Sequence, residues 1–458
     1  MILSTRIKQP SIFWKFISNY LLTFDRVPFW RTLPQGDNIL RKLSILSPTH
    51  SNTCRIPRRP TSNSPSVTFT TSQLLASEGE ALMDSFPLKS YSATPWMEKL
   101  QNIPKQRLEL AMLNTPIHRW YLPGTPTNFE VFIKRDDMTG SSLSGNKIRK
   151  LEFLLADAVS QGCDTVITCG GVRSNHCRTT AVASRQLGMD CHLLLRSEAT
   201  HLDGSFTGNT LLDSMVGCSF YLIPKKAQYN THINPRMQQL ESYLRDSLGK
   251  RPYPIPIGGS NAIGVFGYID CFRELLEQNV QNRFSDIVIT TGSSGSLAGL
   301  AIGNYLTGSR LRVHGMAVCD DARYFHGEIN KVLRELGLQG QGSSEVRSED
   351  IVDVVDGVKG LGYGVSQPEE LDCINQVARS TGIFVDPVYT GKATFHLLRL
   401  MREEPKRFQG SKILFIHTGG VFDLFSGAMS TMADGRTSAE KKVYDWMEMT
   451  DKTPLSQS

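Results

Sequence analysis

The sequence predicts an α/β protein with two lobes of open, twisted, mainly parallel sheet, flanked by helices and separated by a cleft. Two observations carry this expectation. Between residues 130 and 417, strand-like runs alternate with segments of helical period, which is the pattern of βαβ units. Several of those runs end in glycine-rich turns, placing the glycines at the carboxyl ends of strands, where open α/β sheets bind ligands.

The elements follow in order. Glu130-Val131-Phe132-Ile133-Lys134 reads as a strand, and Lys147 to Ser160 carries Ile148, Leu151, Leu154, Leu155 and Ala158 at helical spacing. Thr165–Cys169 is a β-rich run ending in Gly170-Gly171, and a helix is expected from about Ser174 to Leu187. Strands follow at His192–Arg196 and near Ser219–Ile223. Asp286–Thr290 is a further apolar strand closed by Gly292, feeding a small-residue helix from Ser296 to Leu306 and the strand Arg312–Val318. Lys412–His417 is the last strand, ending at Gly419-Gly420.

Ahead of this body lies a leader of different composition. Through Gln73 it holds ten Lys/Arg against Asp25 and Asp37, so of the chain's 50 basic and 44 acidic residues the remainder has 40 and 42. The chain's net charge of +6 therefore resides in the leader, and the body has neither the basic surplus nor the motifs of a nucleic-acid binder. An Arg-rich, Ser/Thr-rich, nearly acid-free leader reads as an organellar transit peptide over 1–77, to the mitochondrion first and the chloroplast second. The alternative is a tail with no address. Its apolar stretch Pro10–Phe24 is interrupted by Lys15 and Asn19, short of the ~20 apolar residues of a membrane span. The nine cysteines form no CxxC pair or zinc-like spacing, so free thiols and no metal are expected.

Three constellations carry chemistry. Ser144-Gly145-Asn146-Lys147 sets a lysine at a helix start, where the positive end of the helix dipole disfavours its charge. If it is also desolvated it becomes a nucleophile able to form a Schiff base, although first-turn lysines are ordinarily solvated. Thr291-Gly292-Ser293-Ser294-Gly295-Ser296 joins a strand to a helix and reads as a phosphate cradle, without the Gly-Lys-Ser/Thr ending of a nucleotide loop. Gly170-Gly171-Val172-Arg173-Ser174-Asn175-His176 sits at another strand-to-helix junction: Ser174 or Asn175 is a helix cap, or these residues present an amide and N–H groups to a carboxylate. Tyr363 and Tyr389 each lie beside glycine or proline in a tight turn, as packing residues or as phenols of a site. A lysine able to form an imine, a phosphate cradle and polar groups at strand ends together suggest pyridoxal 5′-phosphate (PLP).

Six motifs in order carry a resemblance: Lys134-Arg135-Asp136-Asp137, Ser144–Glu152, Gly170–His176, Thr291–Gly299, Asp386-Pro387-Val388-Tyr389-Thr390-Gly391-Lys392 and His417-Thr418-Gly419-Gly420. From about Leu110 to Gly427 the chain resembles the D-cysteine desulfhydrase and 1-aminocyclopropane-1-carboxylate (ACC) deaminase family of tryptophan-synthase-β-like, fold type II PLP enzymes. The resemblance implies PLP in the cleft of a catalytic region 78–458, with a smaller lobe at about 143–265 and a larger one at about 95–142 and 266–440. It implies a homodimer acting on a small amino acid. Lys147 would be the Schiff-base lysine and the base at Cα, and Asn175 would bond the ring 3′-oxygen. Ser174 would lie near the substrate carboxylate or act in proton transfer, and the Asn175 and His176 backbone would help hold that carboxylate. The His176 ring itself reads first as a hydrogen-bonded structural histidine. Gly292, Ser293, Ser294, Gly295 and Ser296 would take the 5′-phosphate. Tyr389 would sit close to the substrate, with Tyr363 as a second phenol.

The family's two activities are expected to separate at Thr390. In the ACC deaminase pattern this position is a glutamate facing the pyridine nitrogen; a neutral hydroxyl there donates to an unprotonated nitrogen and cannot stabilise a pyridinium. The expectation is therefore β-elimination of D-cysteine to pyruvate, H₂S and ammonia, a carbon–sulfur lyase activity. The alternatives are ACC deamination, another β-eliminating or sulfur-transferring reaction on L-cysteine, O-acetylserine or D-serine, and a PLP-binding protein without turnover.

Overall fold

The computed structural model describes residues 85–199, 206–339 and 345–429, all within one compact unit, Phe69–Ser458. The expected leader and residues 430–440 of the expected larger lobe lie outside the described residues.

Two short strands, β1 (Lys89–Ser90) and β2 (Gln106–Arg107), pair antiparallel at the start. β3 (Ile117–Arg119) and β4 (Glu130–Lys134) lead to α1 (Asn146–Ser160). β5 (Thr165–Gly171), α2 (Asn175–Gln186), β6 (Asp190–Ser197), α3 (Gly208–Met215), β7 (Ser219–Pro224), α4 (Asn234–Leu248) and β8 (Pro252–Pro254) follow. The chain continues through α5 (Phe266–Glu277), β9 (Asp286–Thr291), α6 (Gly295–Thr307), β10 (Arg312–Ala317), α7 (Ala322–Glu335), α8 (Ser348–Ile351) and β11 (Asp353–Val355). It ends with α9 (Pro368–Thr381), α10 (Thr390–Glu403) and β12 (Lys412–Ile416).

Beyond the β1–β2 pair, the strands sort into two larger sheets. One has the order β7-β6-β5-β8 and is wholly parallel; the other has the order β11-β10-β9-β12-β4-β3 and is parallel except for β3. Both sheets are covered on their two faces, which is why their strands read as continuous apolar runs. In β9, Ile287 and Ile289 pack toward α5, α6 and α7, while Val288 packs toward α9 and α10. In the smaller sheet, Val166 packs with α1 residues and Ile167 with Met237 and Leu244 of α4. Helices α5 and α6 approach closely because α6 carries glycines four apart. A Cβ at Gly299 would stand 2.5 Å from Cβ of Tyr268, and one at Gly303 2.5 Å from Cβ of Phe272.

The Lys134-Arg135-Asp136-Asp137 segment ends β4 and builds a buried ionic cluster. Arg149 of α1 donates through Nε and Nη2 to Asp136 at 2.9 and 2.8 Å, and through Nη1 to Glu274 of α5 at 2.8 Å. Lys134 also bonds Glu274, and Tyr268 donates to Asp136 at 2.7 Å. Burial opposes ionisation of Asp136, but Arg149 and Lys134 outweigh it and hold the carboxyl at about 2. The cluster ties α1 to β4 and α5 two residues beyond Lys147.

A second buried cluster joins the amino ends of β9, β10 and β11. His314 bonds Asp286 through Nε2 at 2.8 Å and Asp353 through Nδ1 at 2.7 Å, and Arg407 grips Asp353 with two bonds of 2.8 Å. Carboxylates only accept, so both ring nitrogens carry hydrogen and the ring is an imidazolium. Burial opposes that charge, yet the bonds to Asp286 and Asp353 raise the His314 pKa. Its stabilisation is therefore complete below the unfolded value of about 6.5 and is lost as pH rises through the higher native value. His314→Gln is expected to lower the thermal midpoint most near pH 6 and progressively less toward pH ~9. A midpoint difference constant across that range would show that His314 is not charged in the fold.

Candidate active site

A cavity opens at the carboxyl ends of β9 and β12 and the start of α1. Its wall includes Asn146, Lys147, Asn175, Tyr389, Thr418 and the turn after β9 from Thr291 to Ser294, with Thr290, Ser296 and Leu297. A more open depression lies at the opposite, amino ends of β10 and β11, lined by Arg310, Arg312 and Asp353 among others. In parallel sheets the carboxyl ends are where ligands sit.

Lys147 is the second residue of α1. The helix starts there because Gly145 takes a φ of 109° and passes the last strand's loop closely: a Cβ would stand 2.7 Å from the Thr418 carbonyl oxygen. Asn146 N–H then donates to that carbonyl at 3.1 Å, fastening the lysine's turn to the end of β12. The Lys147 amine makes no hydrogen bond with any described residue, and desolvation lowers its pKa to about 8. Lys150, one turn on, is buried and spent: its amine donates to the Gly258 carbonyl and to Ser260 Oγ. Geometry thus separates two lysines that share a helix face.

The turn after β9 enters α6 with no side-chain cap at Ser294. The first-turn amides of Ser296 and Leu297 have no intrahelical acceptor, and they meet the positive end of the helix. Ser293 Oγ accepts from Ser260 Oγ at 3.2 Å, and Ser296 Oγ accepts from Asn146 Nδ2 at 2.9 Å. Lys150 lies just behind, 3.2 Å from where a Cβ on Gly295 would be. The amide of Gly295 is already bonded, to Ser293 O and Ser260 Oγ, and it is absent from the cavity wall.

Asn175 opens α2. Asn209 Nδ2 donates to its Oδ1 at 3.1 Å, which leaves the Asn175 amide hydrogens for the cavity. Tyr389 reaches the wall before α10, its ring so near the phosphate-loop candidate that a Cβ on Gly292 would stand 3.0 Å away. Tyr363 lies behind it, with 2.6 Å between the two phenol oxygens. Burial raises both phenol pKa values, so both keep their protons.

The side chains of three expected residues bond within the protein rather than facing the cavity. Ser174 is the N-cap of α2, its Oγ accepting from Cys177 N–H at 3.2 Å, and its side chain does not line the cavity. The His176 imidazole points to Thr168, 2.9 Å from Nε2. Because Thr168 gives its own hydrogen to the Ile255 carbonyl, Nε2 of His176 must be the donor. Burial and the two lysines push the His176 pKa well down, so the ring is neutral. Thr390 is buried, and its hydroxyl hydrogen goes to Asp386 Oδ1 at 2.7 Å rather than into the cavity. The sequence pattern missed Lys150, Ser260, Asn209 and the Thr290–Thr291 pair. Of these, Lys150 and Thr291 lay inside recognised motifs, whereas Ser260, Asn209 and Thr290 did not.

The residues present fit PLP. The Thr290 and Thr291 hydroxyls are buried without a partner, a cost of about 1–3 kcal/mol each that a polar ligand relieves. The cradle has no room for side chains: a Cβ at Gly258 would strike Ser293 Oγ and stand 3.7 Å from Lys147 Nζ. Among the described residues no His, Cys, Asp and Glu group has metal-binding geometry, and no helix is long and apolar enough to cross a membrane.

Known proteins are similar to this chain over most of its length. A bifunctional D-cysteine desulfhydrase/1-aminocyclopropane-1-carboxylate deaminase, mitochondrial, of Arabidopsis thaliana is 44% identical over 351 residues, 75% of this chain and 86% of that one. A D-cysteine desulfhydrase of Yersinia enterocolitica is 37% identical over 332 residues, 72% of this chain and 97% of its own. The crystal structure of an ACC deaminase homologue superposes with a TM-score of 0.62 at 34% identity, covering 74% of this chain and 99% of its own. Residues 108–419 match the pyridoxal-phosphate dependent enzymes, and the chain belongs to that family.

Proposed function

We propose that this enzyme eliminates HS⁻ from D-cysteine and releases pyruvate, H₂S and ammonia. The observation that carries the reading is that, among the described residues, no Asp or Glu stands on the cavity wall. The carboxylate nearest Thr390, Asp386, is spent on the amides of Val388, Tyr389 and Thr390 and on the Thr390 hydroxyl. A wall without a carboxylate suits departure of a good leaving group better than opening of an unactivated ring.

When bound, PLP supplies the electron sink for the carbanion at Cα. Lys147 would hold it, Asn175 would donate to its ring oxygen, and Ser293, Ser294, Ser296 and the free amides of α6 would take its phosphate, with Lys150 beneath. Lys147, whose amine would be free once the substrate's own amine has replaced it on the cofactor and whose charge burial disfavours, would take the Cα proton. The first-turn amides of α2, at Asn175 and His176, have no intrahelical acceptor and suit the substrate carboxylate. Tyr389, kept protonated by burial and paired with Tyr363, gives a proton to the sulfur as the C–S bond breaks. The three-carbon enamine that leaves hydrolyses in water to pyruvate and ammonia.

The bifunctional relative favours a second reading at the same site, ACC deamination to 2-oxobutanoate and ammonia. Product analysis of the purified holoenzyme on D-cysteine, L-cysteine, D-serine and ACC separates the two. D-cysteine is expected to exceed ACC in kcat/KM by about two orders of magnitude. ACC turnover with D-cysteine inert would overturn the reading. We further infer a homodimer with lobes near 143–265 and 95–142 plus 266–440. The basic leader and the mitochondrial relative support a mitochondrial address.

A further inference from the structure

Lys392 belongs to a motif whose role the site leaves open. It is the third residue of α10, fully buried, and its amine reaches a single loop. It donates to the carbonyls of Lys359 at 2.6 Å, Val365 at 2.7 Å and Gly362 at 3.3 Å. Three N–H groups meet three backbone acceptors, as a bound monovalent cation would. The counter-charge stands off: Glu370 Oε2 is 3.6 Å away, and it also accepts from Gln367 N–H.

The loop needs such a centre. Gly357, Gly360, Gly362 and Gly364 all take positive φ (81°, 58°, 148° and 71°), conformations with little preference of their own. Among the described residues its one β-bridge, Gly362–Val365, lies within the loop itself. Convergent carbonyl dipoles repel one another unless a cation lies between them. Tyr363 sits in the middle of this loop. The carbonyl before it, Gly362 O, is held by Lys392; the one after it, Gly364 O, accepts from Arg173 Nη1 at 2.7 Å. Arg173 is itself fixed by a two-bond grip on Asp423.

We infer that Lys392 is a positioning residue, a tethered cation around which the loop 357–366 folds, and that it thereby sets the Tyr363 phenol against Tyr389. The inference rests on the proposed function only for its link to turnover; the loop's order is measured separately.

The test uses the full-length holoenzyme and reads hydrogen exchange of peptides spanning 357–367 together with steady-state kinetics. In Lys392→Ala the loop amides are expected to exchange about tenfold faster or more. In the same variant kcat falls on the order of tenfold to a hundredfold with KM little changed. The visible absorbance of the bound cofactor stays as in the parent. Ammonium chloride, entering the vacated space, restores both slow exchange and kcat, whereas sodium chloride at equal ionic strength restores neither. Lys392→Met keeps the aliphatic stem but no donors; it shows the defect without ammonium rescue and carries the test if the alanine variant does not fold. Loop exchange unchanged in Lys392→Met, or rescue by sodium as good as by ammonium, would overturn the inference. Faster exchange with unaltered kcat overturns the link to Tyr389. If the parent itself is inactive on D-cysteine, the functional reading fails, and exchange with its ammonium rescue still decides the role of Lys392.

Discussion

Lys147→Ala is expected to lose both the visible absorbance of the bound cofactor and turnover, the latter by roughly 10²–10⁴-fold or more. The argument rests on where the amine stands. Its carbon stem is held by a helix whose first amide is bonded to the Thr418 carbonyl, and its nitrogen lies at the cavity without a hydrogen-bond partner among the described residues. Desolvation lowers its pKa to about 8, so an appreciable neutral fraction exists near neutral pH and grows as pH rises. Uptake of PLP by the apoprotein should therefore accelerate through pH ~8 in the parent and show no such rise in the variant. Lys150→Ala is the informative contrast. That amine is committed to the Gly258 carbonyl and Ser260, under the phosphate-loop candidate, so its removal should weaken cofactor retention while leaving the visible absorbance of protein saturated with PLP. Full turnover by Lys147→Ala would take this residue out of the chemistry, and loss of the absorbance in saturated Lys150→Ala would assign the anchor to the wrong lysine.

The sequence announced the sheet strands well because both sheets are buried on two faces. β4 was legible residue for residue as Glu130–Lys134, and β9 and β12 within a residue, since an apolar run bounded by polar and glycine residues has few other ways to be satisfied. Edge elements were harder. β8 is three residues, Pro-Tyr-Pro, and β11 is three residues after a short helix, so neither has a period to detect. At the site, motifs located the segments but not which atom of each faces the cavity. Ser174 and Thr390 show why: hydroxyls beside a helix start are captured by local backbone and carboxylate partners, a competition that spacing does not reveal. Asn209 and Ser260 were invisible for the opposite reason. They act across 34 and 33 residues of chain, on Asn175 and Ser293, and no local pattern marks such partners.

The Lys134–Asp137 motif lies close to Lys147 in the fold yet shows no hydrogen bond to a cavity-wall residue among the described residues, and its expected signature is stability. Arg149→Met should destabilise the protein by about 3–5 kcal/mol, because it removes the cation shared by two buried carboxylates while leaving both in place. Asp136 is then paired only through Tyr268 and Thr115 and through Lys134 at longer range, and Glu274 only with Lys134 and its remaining neighbours. The sign of the pH effect identifies the cause. In the parent, Asp136 is held at about 2, so its contribution is present above the ordinary carboxylate pKa and is lost only as pH falls through that low value. Without Arg149 burial dominates, the native pKa rises, and mild acid protonates the carboxyl and relieves the strain. Denaturant unfolding should therefore show the gap between parent and variant narrowing from about pH 7 to about pH 5. Adding Asp136→Asn to Arg149→Met should recover part of the loss, as expected when the penalty is an unpaired charge rather than a missing contact. A gap that is independent of pH and unmoved by the second substitution would mean that Arg149 acts through packing of its stem between α1 and α5, and that the ionic cluster does not set the orientation of the helix that presents Lys147.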